Sequence, residues 1–317
     1  MRVLVTGISG FIGRAVTSNL TARRFVVYGL DRSPKPVTGA TVITKGDILD
    51  ADLVQKSVSE VDGVIHLAGV LGTSELLDSV KDAVRINVEA AVNVYNACLV
   101  ASVPVVQIAT GNANWTSVYP ATKECAVRLA QCYAQDAGLK LSVVRAFHAY
   151  GPYQKHAPTR KFIPNAIRSA ILNEPVIIFG KGHQIIDPIW VDDVAEILVR
   201  ALLKANNPSG VGDLRPTPLT HIYEAGTGDG ISVNNVADVI WRIVNGTNVA
   251  PKIHLSMRAG EPAESTVVGD PVTLWPFYEE FPFEHPLVKF EDGIQDTINW
   301  YRGHPEILGL ELAAVRQ

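Results

Sequence analysis

The chain has 317 residues, 47% apolar and 19% charged, enough for one large or two modest domains and for a sizeable core without staples. That composition excludes a mainly disordered chain. Twenty-eight Lys and Arg against 32 Asp and Glu leave a formal charge of −4, with no basic surplus for a nucleic acid. The longest stretch free of charged residues, Ala90–Thr122, is interrupted by Asn93, Asn96, Pro104, Asn112, Asn114 and Pro120, so no membrane span is expected. Three cysteines without C-x-x-C or Cys/His spacing point to free thiols, buried as small hydrophobes, in a reducing, cytoplasmic setting, and to no metal.

Val3–Val5 is the first predicted strand, and Phe11–Ala22 a helix with Phe11, Ile12, Ala15, Val16 and Leu20 on one apolar side. Further strands are expected at Phe25–Leu30, Val42–Thr44, Val64–Leu67, Val105–Ala109 and Leu141–Arg145. The helices between them are Leu53–Ser59, a long Ser79–Ala101 and Tyr119–Ala137. Strands with little alternation, each followed by a helix, predict a parallel sheet covered on both faces, a Rossmann-type doubly wound α/β fold. The second half carries a helix at Ile163–Leu172, a strand at Val176–Phe179 and a helix at Val191–Ala205. A polar Pro/Gly loop at Asn206–Pro218 leads to a core strand at Tyr223–Ala225. Ser232 caps a helix reaching Val244, and a last helix spans Gly293–Tyr301.

Val5-Thr6-Gly7-Ile8-Ser9-Gly10-Phe11-Ile12-Gly13 joins the first strand to the first helix. Gly7 permits the tight turn, Gly10 lets backbone approach a pyrophosphate, and Gly13 lets the helix pack closely on the strand. The helix N-terminus then offers free N–H groups to the anion. The second strand ends at Asp31, whose carboxylate suits ribose hydroxyls and repels a 2′-phosphate, favouring NAD over NADP. Arg32 and Arg14 are either solvated charges or the residues a 2′-phosphate would meet. Asp47-Ile48, after the third strand, lies where an adenine would sit, and Asp47 alone reads equally well as a loop cap. Residues 1–150 are therefore the expected dinucleotide-binding domain, joined by returning segments near 183–205 and 220–226. Residues 151–182 and 227–317 form a smaller substrate-binding lobe.

Tyr119-Pro120-Ala121-Thr122-Lys123 opens a helix, so the phenol and the ammonium share one face. A cation beside a phenol favours phenolate and makes an acid/base of it near neutral pH. Thr110 ends the preceding strand and can hold the substrate oxygen beside the phenol.

These residues resemble the extended short-chain dehydrogenase/reductases, the NAD-dependent epimerase/dehydratase family, over nearly the whole chain. The resemblance makes Gly7, Gly10, Phe11, Ile12 and Gly13 the opening cofactor motif, and Asp31, Asp47 and Ile48 its ribose and adenine contacts, with Arg32 beside them. Leu67, Ala68 and Gly69 follow His66 along the cofactor, and Asn87 lies beneath the active site. Tyr119 and Lys123 are the acid/base and its partner. Phe147 and His148, within Arg145–Pro152, reach the nicotinamide. Asp187–Ala195 and Arg258–Glu261 resemble motifs of the nucleotide-sugar branch, with Arg258 free to grip a diphosphate. Thr110, Asn112, His148 and Arg258 are the implied substrate contacts.

Four departures bear on function. Sugar 4,6-dehydratases follow the threonine with Asp-Glu, whereas this chain has Gly111-Asn112. Only eight residues separate Thr110 from Tyr119, so the pocket is more open or closed by another segment. His148 replaces the usual Asn, and Ile186 an expected diphosphate-binding Arg. The implied activity is epimerisation of a nucleotide-activated sugar through bound NAD. A dehydrogenase/reductase of a sugar or small carbinol is the alternative, and a non-catalytic dinucleotide sensor a third reading that the retained Tyr119 and Lys123 disfavour. The family also implies a homodimer through the 80–101 and 119–137 helices. His148, His156 and His183 are extra acid/base groups or packing residues. Lys155, Arg160 and Lys161 read as a solvated basic face, with phosphate contact as the alternative, Trp190 and Trp275 as packing, and Asp192 and Asp193 as a helix cap.

Overall fold

Short runs of Val, Ile and Leu become the strands of one central sheet, and the amphipathic stretches between them become its two covering layers. The computed structural model describes residues 1–206, 221–280 and 286–311. Its first half runs β1 (Arg2–Thr6), α1 (Phe11–Ala22), β2 (Val26–Asp31), β3 (Ala40–Lys45), α2 (Ala51–Ser59), β4 (Gly63–His66), α3 (Val80–Val84), α4 (Ala90–Ala101), β5 (Val105–Thr110), α5 (Val118–Ala137) and β6 (Leu141–Ala146). The second half continues with β7 (His148–Tyr150), α6 (Phe162–Ile171), β8 (Val176–Phe179), β9 (Ile185–Ile186), β10 (Pro188–Trp190), α7 (Val191–Asn206), β11 (His221–Ala225) and β12 (Ile231–Ser232). It ends with α8 (Val233–Asn245), β13 (Lys252–Leu255), β14 (Thr266–Val267), α9 (Trp275–Glu280) and α10 (Phe290–Gly303). The polar loop expected at Asn206–Pro218 lies outside the described residues, apart from Asn206, which ends α7.

The sheet has seven strands in the order β11-β6-β5-β4-β1-β2-β3, all paired in parallel. The order reverses beside β1, which opens the crevice where such folds bind ligands. Alternate residues of β1 serve opposite faces: Val3 and Val5 join the core under α1 and α7, and Leu4 the core under α2, α4 and α5. β11 is the expected core strand returning from the second half, in register with β6. A third core, built on Ile167, Ile178, Ile240 and Ile298, belongs to the lobe of α6, α8 and α10.

The long helix expected over Ser79–Ala101 is interrupted. A π-helical turn, Arg85–Glu89, separates α3 from α4. Asn87 lies in that turn, only 3% exposed. Its amide donates to Val70 O and Thr122 Oγ1, both at 3.0 Å, and accepts from Val70 N–H at 2.9 Å. Several cysteine and tryptophan readings change as well. Cys98 is buried, but Cys125 and Cys132 stand exposed on α5. Trp190 packs in the lobe core, whereas Trp275 is 62% exposed. Asp192 and Asp193 sit in the first turn of α7, where their charge suits the helix dipole. Asp192 accepts from the Trp190 indole and Asp193 from Val288 N–H. Among the described residues no helix is long and apolar enough to cross a membrane.

Candidate active site

The glycine turn sits where β1 gives way to α1. Gly7 has a φ of +70°, and a Cβ on Gly13 would lie 2.5 Å from Gly7 O and 2.6 Å from Ile8 O. Only glycine fits at Gly13, and its absence of side chain lets α1 press against the turn. Gly10 is the residue before α1, with no side-chain cap on the helix, so the first N–H groups stay open to an anion. Asp31 is tied to this turn: one carboxylate oxygen accepts from Ser9 N–H at 3.1 Å and the other from Ser33 N–H at 2.9 Å. Arg32 is exposed beside it. Arg14 is not a free surface charge, because it donates to Ser9 O and lies 4.8 Å from the Tyr153 ring centre. Asp47 caps its own loop through Leu49 N–H, and Ile48 is buried in the core. The Ile48 side chain is therefore occupied by packing. This cradle fits a dinucleotide: it carries glycine at positions 7, 10 and 13, is open at a helix N-terminus and is flanked by one carboxylate.

The far wall of the turn is the segment after β4. Thr6 Oγ1 accepts from Leu67 N–H and Ala68 N–H, both at 3.1 Å, and donates to His66 Nδ1 at 2.8 Å. Full burial, with the Lys123 charge nearby, pulls the His66 imidazole down to about 3, so it stays neutral. Asn87 holds Val70 and Thr122 together, which fixes α5 against this wall one residue before Lys123.

A cavity of about 390 Å³ runs from Phe11, Ile12, Leu67 and Gly69 past Thr110, Tyr119 and Lys123 into the lobe. Burial pushes the Tyr119 phenol up to about 12, with hydrogen bonding by Thr110 working in the other direction. Burial also brings the Lys123 ammonium down to about 8. The expected lowering of the phenol by its lysine is thus absent from the protein alone: desolvation dominates both groups. Thr110 Oγ1 is hydrogen-bonded to Asn112 Oδ1. The hydroxyl has one proton, so an Asn112 amide turned over, donating its N–H, would free that proton for the phenol.

Phe147 is wedged between glycines. A Cβ on Gly111 would fall 2.6 Å from its ring, and one on Gly269 would fall 3.2 Å from it. His148 lines the cavity with a buried Nδ1 that has no hydrogen-bond partner. Burial and the nearby Lys161 bring it down to about 4, so it is a neutral imidazole at pH 7. His156 is a packing residue, bonded to Ile307 O and set against Gly309, and His183 is exposed. Ile186 is buried in the lobe core and contributes an apolar wall.

Arg258 reaches the cavity but is not free. It pairs with Glu75 at 2.8 Å and with Glu261 at 3.5 Å. Arg160 and Lys161 are not a solvated face either: both line the cavity, and burial lowers the Lys161 ammonium. Glu75 lines the cavity and was announced by no spacing rule, whereas Asp187 opens the Asp187–Ala195 motif and ties together the segments behind His148. Asp187, fully buried, accepts from Thr227, Gly228 and Gly269 N–H, and its carbonyl holds His148 N–H. Glu75 belongs to no repeating pattern and follows Gly72, Thr73 and Ser74, so nothing in its sequence neighbourhood marks it.

The chain is similar to characterised proteins along nearly all its length. It is 28% identical to a dTDP-glucose 4,6-dehydratase of Mycolicibacterium smegmatis, with 96% of this chain and 94% of that protein covered. It is 25% identical to a UDP-N-acetyl-alpha-D-glucosaminuronate decarboxylase of Bacillus cytotoxicus, covering 95% and 98%. The crystal structure of a UDP-glucose 4-epimerase from Thermus thermophilus, in complex with NAD, superimposes with a TM-score of 0.80 at 25% identity, covering 96% and 99%. Residues 3–212 match the model of the NAD dependent epimerase/dehydratase family. Together with the glycine cradle, Asp31 and the Tyr119–Lys123 pair, this match shows that the chain belongs to that family and is an NAD-dependent enzyme.

Proposed function

We propose that the protein epimerises a nucleotide-activated sugar, with carbon 4 as the reacting centre. The observation that carries this reading is the Phe147 ring filling the space beside Gly111. A dehydratase needs an acid/base pair there to expel water, and this wall has no room for the first of them. NAD, when bound, accepts a hydride from the carbinol and returns it. Tyr119 takes the hydroxyl proton and gives it back, Thr110 holds the oxygen, and Lys123 stabilises the phenolate. Asn112 and the neutral His148 offer hydrogen bonds to other substrate hydroxyls. Epimerisation would leave the bound cofactor unchanged over the cycle.

The relatives support activated sugars as the substrate class, since each is named for a UDP- or dTDP-linked sugar. Incubation with a panel of UDP-, GDP-, CDP- and dTDP-sugars should give an epimer with no accumulation of reduced cofactor. Loss of water from the sugar, or no turnover of any activated sugar, would overturn the reading. One observation favours the alternative dehydrogenase/reductase: Ile186 is apolar and Arg258 is already paired, which leaves a small carbinol as an acceptable ligand. Net reduced cofactor would decide for it.

The homodimer expected through the 80–101 and 119–137 helices enters the same proposal. Val80 and Val84, one turn apart on α3, are 45% and 46% exposed; Leu77, in the turn before it, is 40% exposed and Val100 on α4 is 74% exposed. Exposed apolar side chains along these helices suit a second copy of the chain.

A further inference from the structure

The short segment between Thr110 and Tyr119 leaves the cavity to be closed by other parts of the chain. Three of them meet at its lobe end: residues 71–75, 159–161 and 258–261. Thr159 Oγ1 donates to Leu71 O at 3.4 Å, and Ser74 Oγ to Ala259 O at 2.7 Å. Glu75 is at the junction. Its Oε1 accepts from Arg160 N–H at 3.0 Å and from the Arg258 guanidinium at 2.8 Å. Its Oε2 is buried without a hydrogen-bond partner. Three cations, Arg160, Lys161 and Arg258, face the cavity together with two carboxylates, Glu75 and Glu261.

We propose that Glu75 is a specificity-determining residue that competes with the substrate's diphosphate for Arg258. The proposal rests on the nucleotide-diphosphate reading above. A carboxylate and a phosphate present similar oxygens to a guanidinium, and one guanidinium edge cannot satisfy both at full strength. The two negative charges of a diphosphate would also be repelled by Glu75 and Glu261. The existing pairing is incomplete, because one Glu75 oxygen lacks a partner, so displacement by a stronger anion is feasible. Displacement cuts the tie between 71–75 and the lobe. Binding of the anion and loosening of the segment that closes the cavity become one event, and a ligand without the diphosphate leaves the tie in place.

The test is calorimetric binding of UDP and dTDP to the NAD-loaded wild type and Glu75→Gln, with uridine and thymidine as neutral counterparts. Glu75→Gln should bind the better diphosphate about 5-fold more tightly, the scale of one partly exposed ion pair, with nucleoside binding unchanged. In the wild type, diphosphate but not nucleoside should speed amide exchange of residues 71–75, a readout that does not depend on the variant's folding. Unchanged or weaker diphosphate binding by Glu75→Gln would overturn the proposal, the weaker case making Glu75 a support for Arg258. An equal gain for nucleosides would overturn it too. If neither protein binds either diphosphate, the nucleotide reading falls along with it, whereas equal binding by both sinks only the role of Glu75.

Discussion

Tyr119 and Lys123 are held in a part of the protein that resists charge. Replacing Tyr119 with Phe removes the proposed proton acceptor, and turnover should fall by about 10²–10⁴-fold while NAD binding, followed by cofactor fluorescence, persists. Lys123 is 5% exposed, and among the described residues no carboxylate pairs with it. Its ammonium titrates near 8 in the fold against 10.5 for a free lysine. Below pH 8 it is charged in both folded and unfolded chains, and the burial cost is carried in full. Between pH 8 and 10.5 the folded chain has lost the proton and the unfolded chain has not, so stability rises with pH. Lys123→Met should therefore stabilise the cofactor-free protein at pH 7 by up to about 3 kcal/mol. Thermal melts should show that gain shrinking as the pH passes from 8 to 10.5, with turnover lost throughout. The glycines, the tyrosine and the lysine were legible because each needs a fixed spacing at a strand–helix junction. Glu75 was not, and the burial of Lys161 was not, since the segments that surround them lie far apart in sequence.

The central elements follow directly from hydrophobic pattern, with ends shifted by a residue or two. Where pattern failed, the reason is physical. An apolar repeat runs through 79–101 whether the backbone is α or π, so the turn at Arg85–Glu89 is invisible until the partners of Asn87 are known. β9, β12 and β14 are two residues long, too short to show an alternation. Asn87→Ala strips three hydrogen bonds and leaves Val70 backbone groups unpaired. It should cost about 2–4 kcal/mol, read by chemical denaturation, and should weaken catalysis by loosening α5 under Lys123.

The parallel, doubly wound sheet was implied by the alternation of strands and helices, its strand order was not, and β11 brings the second half of the chain back to the first sheet. Assembly is a question for the whole molecule. If the flank carrying Leu77, Val80 and Val84 is buried between copies, Val84→Glu should yield monomers at micromolar concentration in sedimentation, while the wild type sediments as a dimer. A charge at one central position of such a face leaves both copies with an unpaired buried carboxylate. The fold of each subunit should survive, because Val84 already stands 46% exposed in the single chain.

The Phe147 wedge constrains what mutation can make of this protein. A route to a water-eliminating enzyme begins with an acid at position 111, but Gly111→Asp alone drives its Cβ into the aromatic ring. Shrinking Phe147 first removes the clash but opens a void between Gly111 and Gly269, so the single step is also unfavourable. The two changes are tolerated only together. Thermal melts and cofactor titrations of the two single variants and the double should show this as sign epistasis: each single is less stable than the wild type, and the Gly111→Asp, Phe147→Ala double regains a folded, cofactor-binding site.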